Sequence, residues 1–261
     1  GFFVKYALWR RICLEYVKMK ITVFNGSPRA EKGNTHFMVK AFLEGAEKAG
    51  AVTNNVFLSK KKINPCMGCF TCWLKTPGIC VFKDDMPALL SEVLTSDIIV
   101  FAFPLYVDNV SGQMKIFMDR LMTLADPRIT KDENGESRHQ KRYDQPSPGV
   151  VVISNCGFPE YSHFQVVSLL FKRFARNLHS KVLGEIYRTE GELLCHKRLL
   201  LKPVQFSYKK LMNKCGEEIV KNNKLSQKII TALQKQLVPK DFYVKEANKY
   251  IQKRINEIQS K

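Results

Sequence analysis

The chain has 261 residues, 45% of them hydrophobic, and a formal charge of +18. That length buries one sizeable core with appendages, or two small domains, and no apolar run is long enough to cross a bilayer. The excess of Lys and Arg fits either an anionic partner or a lysine-rich solvated surface. With no helix-turn-helix, zinc-finger spacing or RNA-binding aromatic motif beside it, no specific nucleic-acid or membrane partner is expected.

In chain order, residues 1–18 (GFFVKYALWRRICLEYVK) precede Met19, which looks like a natural start. They lack the order of a signal peptide, because the basic pair Arg10-Arg11 follows the apolar stretch. They read as a non-native upstream extension or as an amphipathic helix. Residues 21–24 form a short buried strand that stops at Asn25-Gly26, and residues 35–49 have helical spacing with Gly50 as the C-cap. A second strand covers 52–58, a cysteine loop 60–83, and a helix capped by Asp84 runs to about 94. The run 97–103 (DIIVFAF) is nearly all apolar, as in a parallel strand covered on both faces. A loop at 104–111 leads into a helix over 112–125. Residues 126–148 are polar and rich in turn formers, so they read as an exposed insertion, either a mobile surface loop or a lid. Strands follow at 149–154 and 182–187, with a helix over 162–179 between them. Beyond Gly191, residues 193–208 are ambiguous or extended. Helices over 211–237 and 241–258, separated by Pro239, form a C-terminal extension packed on the core or building an oligomer contact.

Five strands alternating with helices give an open three-layer α/β sheet, whose ligands bind at the carboxyl ends of the strands. The loops 27–35, 104–111 and 154–161 all lie at those ends. The first joins a strand to a helix N-terminus, where unpaired N–H groups and the macrodipole favour an anion. Ser27 and Thr35 add hydroxyls, Asn34 an amide and Arg29 a guanidinium. Phosphate binding and an ordinary capped β-to-α turn both remain open on this loop alone. It carries neither the G-x-G-x-x-G fingerprint nor a Walker ending.

Taken together, N-G-S-P-R…G-N-T, PLYVDNVSGQMKIFMDR and SNCGFPE resemble the flavodoxin-like NAD(P)H-dependent FMN reductases, and the cysteine run resembles their iron–sulfur flavoprotein branch. The resemblance covers residues 19–187. It implies a flavodoxin-like five-stranded parallel sheet of order 2-1-3-4-5 spanning 19–190, with the helical extension at 191–261. It implies FMN, its phosphate on Ser27, Arg29, Asn34 and Thr35. Pro104, Leu105, Tyr106 and Val107 would then run along the isoalloxazine ring, and Ser154, Asn155, Cys156 and Gly157 would face its pyrimidine end. NAD(P)H would be a transient co-substrate, a small molecule the electron acceptor, and a homodimer or homotetramer the assembly. No catalytic side chain beyond the flavin is expected. Lys115, Asp119 and Arg120 are expected to be structural or interface residues; Glu160 and His163 near the third loop read as surface or helix-cap residues, with contact to the substrate as the alternative.

Four of the eight cysteines crowd into the loop after the second strand, the pattern of a metal or redox loop in a reducing compartment, and a cytoplasmic location is expected. Cys66, Cys69 and Cys72 follow at intervals of three, and Cys80 lies across a Pro77-Gly78 turn. Such thiolates can hold a 4Fe-4S cluster or a tetrahedral zinc, or the stretch can be structural, with Trp73 packed beside it. Two rival functions stay open. One is an iron–sulfur flavoprotein electron carrier fed by a ferredoxin. The other is a flavodoxin-like module binding nucleic acid or a membrane surface.

Overall fold

The computed structural model describes residues 18–260, so the expectations for the leader lie outside the described residues, Lys18 apart. Five parallel strands form one sheet: β1 (Lys20–Asn25), β2 (Val52–Phe57), β3 (Ile98–Pro104), β6 (Gly149–Asn155) and β7 (Val182–Arg188). Their order is β2-β1-β3-β6-β7, which is the expected 2-1-3-4-5 arrangement. The three central strands β1, β3 and β6 are buried almost end to end because both faces are covered, whereas the edge strand β2 (VTNNVF) is polar and largely part-exposed; successive residues go to opposite layers. Ile99, Phe101, Phe103, Val150 and Val152 face one core. Ile98, Val100, Ala102, Val151 and Ile153 face the other.

The first layer is built from α3 (Met86–Thr95), α4 (Gly112–Arg120) and α5 (Gln165–Asn177). The second holds α1 (Asn34–Lys48), α6 (Lys202–Asn222) and α7 (Gln227–Gln234). Thus α6 is an integral part of a layer: Met212, Cys215 and Ile219 are fully buried in the second core. Its helix begins at Lys202, inside a stretch that reads as extended, and it ends where Asn223 turns left-handed (φ 52°). The expected single helix over 211–237 is therefore two. Backbone contact between α1 and α6 needs glycines. A Cβ at Gly45 would lie 1.9 Å from the Asn213 carbonyl oxygen, and one at Gly216 2.0 Å from that of Phe42. The last helix, α8 (Lys240–Gln259), buries only Tyr243.

Two segments differ from expectation. Residues 126–148 are no structureless loop, since β4 (Ala125–Lys131) and β5 (Ser137–Lys141) pair as an antiparallel hairpin. It is pinned to α5 by Arg176, whose Nε lies 2.6 Å from Asp132. The hairpin adjoins Leu94, Pro148 and His179, which precede β3, β6 and β7, so it stands toward the amino ends of the strands; it packs on Trp73 of the cysteine loop through His139, and the cavity it covers is lined by none of the loops 27–35, 104–111 and 154–161. Asp84 is no simple cap either. Asp85 holds the position before the first residue of α3, while the Asp84 carboxylate accepts from the Met86 N–H (3.1 Å) and pairs with Arg120 (2.8 Å), both side chains being buried. The cysteine loop holds a short helix, α2 (Thr71–Leu74). No helix among the described residues is long and apolar enough to cross a membrane.

Candidate functional site

At the carboxyl end of β1 the chain folds over the start of α1. Asn25 accepts the Ser27 N–H (3.0 Å) on its side-chain oxygen, turning the backbone sharply. Gly26 lies so close to Ser111 and Met114 of the second loop and α4 that a Cβ would sit 2.9 Å from both. Gly33 similarly lets the Ser27 hydroxyl approach, leaving 2.5 Å to an added Cβ. Asn34 and Thr35 occupy the first two positions of α1, where N–H groups have no intrahelical acceptor. No side chain caps this helix. Ser27, Asn34 and Thr35 are buried around its end, whereas Arg29 is exposed on the rim.

The three loops are one bonded unit. The Gly26 N–H donates to the Ala102 carbonyl (2.7 Å), and the Ser111 hydroxyl donates to the Gly26 carbonyl (2.7 Å). The Asn155 amide donates to the Thr35 hydroxyl oxygen (2.8 Å), and the Leu105 N–H donates to the Asn155 carbonyl (2.8 Å). Because the Thr35 oxygen accepts that bond, its own O–H is left to donate elsewhere. The outer rim is closed by His163, 3.0 Å from Asp108 and stacked on Phe158.

In the second loop Pro104 is buried, Leu105 half-buried and Tyr106 exposed, while Val107 is wholly exposed. Tyr106 and Asn109 exchange both backbone bonds (3.0 and 3.1 Å) around Val107 and Asp108, each at φ 51°. That left-handed pair defines a tight turn, and for the β-branched Val107 it is strained backbone. In the third loop two of the side chains are committed within the protein. Ser154 is fully buried and donates to the Phe103 carbonyl (2.9 Å), and the Asn155 amide is committed to Thr35. Burial pushes the Cys156 thiol up to about 11, and its Sγ faces the Phe158 carbonyl (3.4 Å). The backbone at Gly157 is the part of this set that is open. The strand simply runs on through Asn155, so alternate side chains point inward.

Several residues at the site escape sequence reasoning. Asn25 and Ser111 sit inside the quoted motifs and are recognisable as turn formers. Tyr243 of α8 is not: its hydroxyl donates to the Gly157 carbonyl (2.6 Å) across a sequence separation of 86. Lys240 reaches Glu160 at 2.5 Å, so α8 is anchored to the third loop twice. Glu190, fully buried, accepts the Leu237 N–H (2.7 Å), and burial raises its pKa.

The four loop cysteines line one small cavity together with Phe82, Arg120 and Met122. Cys72 is buried and its thiol pushed up by that burial, whereas hydrogen bonding from Thr71 lowers Cys69. Burial works against the Asp84 carboxylate, but Arg120 and the Asn64 and Met86 N–H groups outweigh it and hold it down to about 2. The pair thereby fixes a guanidinium beside the cysteines. Among the described residues no three His, Cys, Asp or Glu side chains are gathered tightly enough to hold a single metal ion.

A five-stranded sheet of this order, with an uncapped helix end and three cross-linked loops at its carboxyl edge, defines a flavodoxin-like α/β protein. The sequence profile of the NADPH-dependent FMN reductase family matches residues 19–141. YwqN of Bacillus subtilis, provisionally named an NAD(P)H-dependent FMN-containing oxidoreductase, is 32% identical over 189 residues, covering 70% of this chain and 97% of YwqN. The chain belongs to the NADPH-dependent FMN reductase family. An iron–sulfur flavoprotein of Archaeoglobus fulgidus is 38% identical over 142 residues, 54% of this chain and 58% of that protein. The chain spans about half the length of the iron–sulfur flavoproteins it matches. In fold it is similar to an FMN-dependent NADH-azoreductase from Bacillus anthracis (TM-score 0.55, 15% identity, 77% of this chain and 99% of that one).

Proposed function

We propose that the chain is an FMN-dependent oxidoreductase in which NAD(P)H reduces the flavin and a small molecule takes the electrons. The observation that carries the reading is the uncapped start of α1, ringed by Ser27, Asn34 and Thr35 and bonded to both other loops. The residues fit a flavin phosphate. The Asn34 and Thr35 N–H groups and the Thr35 O–H all lack acceptors of their own, and the buried Asn25 Nδ2 has no partner. Arg29, exposed on the rim, adds a cation. Tyr106 presents an aromatic surface, and the open backbone of Gly157 offers an N–H toward the ring's polar edge. Bound FMN supplies hydride acceptance and electron release; the chain supplies binding, orientation and donors that stabilise negative charge on the reduced ring.

Titrating FMN into the apoprotein tests this directly. Saturable quenching of flavin fluorescence, with NADH or NADPH oxidation in the loaded protein, is the expected result. Absence of FMN binding would overturn it.

A second reading rests on the cysteine cavity. We infer that Cys66, Cys69, Cys72 and Cys80 hold a 4Fe-4S cluster, with the guanidinium of Arg120, paired to Asp84, lining the same cavity. Near-stoichiometric iron and sulfide in anaerobically purified protein, lost in Cys66→Ser, is expected; zinc in their place would refute it. A loaded protein that oxidises no NAD(P)H but accepts electrons from a ferredoxin would make it a carrier. The open flavin face suits a homodimer or homotetramer, checked by light scattering, and the closely spaced thiols suit the reducing cytoplasm.

A further inference from the structure

Beneath the β4–β5 hairpin lies a cavity of about 460 Å³, within the usual size range of small-molecule sites. It opens at the amino ends of the strands. Seven-residue β6 separates it from the flavin loops by about 20 Å, at roughly 3.3 Å per residue. Its floor is hydrocarbon, contributed by Leu94, Met118, Leu124, Phe174 and Leu178. Its rim is cationic: Arg138, Lys141 and Arg142 line it with His139 and His179, and no Asp or Glu does.

The two arginines are incompletely used. Arg138 donates to the Arg176 carbonyl (3.1 Å) and Arg142 to that of Ala125 (2.8 Å), yet each keeps a buried Nε–H with no acceptor. Neither forms an ion pair among the described residues. Asp126, the carboxylate near Arg142, is held by Arg128 at 2.8 Å. Buried guanidinium N–H groups without acceptors are rare, because each forfeits a charge-assisted hydrogen bond.

We propose that this cavity is a second small-molecule site, which binds an amphipathic carboxylic acid with a compact apolar body about the size of an aromatic ring. The carboxylate pairs with the guanidinium groups of Arg138 and Arg142, neither of which has a carboxylate partner among the described residues, and the apolar body covers the hydrocarbon floor. A neutral apolar molecule leaves the arginines unpaired, and an inorganic anion leaves the floor wet. The site is independent of the flavin reading, since none of its walls belongs to the three loops. Trp73 forms part of the wall, its ring 4.8 Å from His139 and its N–H bonded to the Met122 carbonyl (2.8 Å). Occupancy is therefore reported by Trp73 and felt next to Cys72.

The test uses 4-phenylbutyrate and its neutral analogue 4-phenyl-1-butanol as probes on the full chain. Binding is followed by calorimetry and by Trp73 fluorescence, with Trp9→Phe removing the only other indole. The acid is expected to bind with a dissociation constant below about 1 mM, and the alcohol at least about tenfold more weakly. Arg138→Gln and Arg142→Gln should each weaken the acid about tenfold while leaving the alcohol and the FMN titration unchanged. Should an arginine variant unfold in urea controls, Lys141→Glu on the exposed rim serves instead, with about threefold weaker binding of the acid. Equal affinities for acid and alcohol, no saturable binding, or indifference of folded charge variants would each overturn the proposal.

Discussion

Replacing Asp84 with asparagine is expected to destabilise the fold by about 2 kcal/mol at neutral pH, and the loss should vanish in acid. The carboxylate receives two N–H bonds from Arg120 (2.8 and 3.2 Å), the Asn64 backbone and side-chain N–H groups (2.9 and 3.2 Å) and the Met86 N–H (3.1 Å). Asparagine keeps one acceptor oxygen and turns the other position into a donor facing donors. Its partner Arg120, buried with it, is left as an uncompensated charge. A fall from 3.8 to about 2 corresponds to about 2 kcal/mol of preferential stabilisation of the charged form in the folded state. Because the folded value is the lower one, this stability is present in full above the unfolded value and is lost as pH drops from about 4 toward 2. Urea unfolding of both proteins at stepped pH values measures it. The gap between the two should be widest at pH 7, begin to close below about 4, and approach zero near the folded value. A gap that stays constant into acid would show that packing, not charge, is what Asp84 contributes.

Thr35→Val keeps the shape of the side chain but removes both the acceptor for Asn155 and the free O–H, so FMN affinity should fall about tenfold, read by flavin fluorescence. Unchanged affinity would remove Thr35 from the phosphate site. Gly216→Ala forces a Cβ to within 2.0 Å of the Phe42 carbonyl, separating α1 from α6. A loss of about 3 kcal/mol or more in urea unfolding is expected, and a neutral result would mean the helices cross differently. In metal-free protein, iodoacetamide at neutral pH should label exposed Cys69, whose thiol is lowered by Thr71, well before Cys156, which burial holds at about 11. Mass spectrometry of tryptic peptides gives the order, and early labelling of Cys156 would contradict the buried third loop.

How much of this was legible in the sequence depends on whether the signal was local. Strands such as 98–104 and 149–155 are apolar runs, and their order follows once the loops identify the fold. The first loop was legible for the same reason, since Asn25, Ser27, Asn34 and Thr35 act on backbone within a few residues of themselves. The hairpin at 125–141 was not, because its strands are polar and half-exposed and are ordered by arginines on α5 rather than by an apolar face. The start of α6 was hidden by the turns at 191–201, where leucines follow one another without helical period. Ser154 and Asn155 read as ligand-facing by position in a motif. Their side chains turned out to hold the loops to each other.

That last point changes what the site asks of the chain. An anion placed at the start of α1 touches residues whose positions are set by bonds from elsewhere: Thr35 by Asn155, and Gly26 by Ser111 and Ala102. Asn155 in turn fixes Leu105, so the second loop inherits the placement of the third. The third loop is held from outside by Tyr243 and Lys240 of α8. Preorganisation therefore runs inward from the C-terminal helices, through side chains bonded within the protein, to the N–H groups that an anion at this helix end would meet. Loosening α8 at Tyr243 should raise the mobility of Gly157 first and reach the start of α1 only through Asn155.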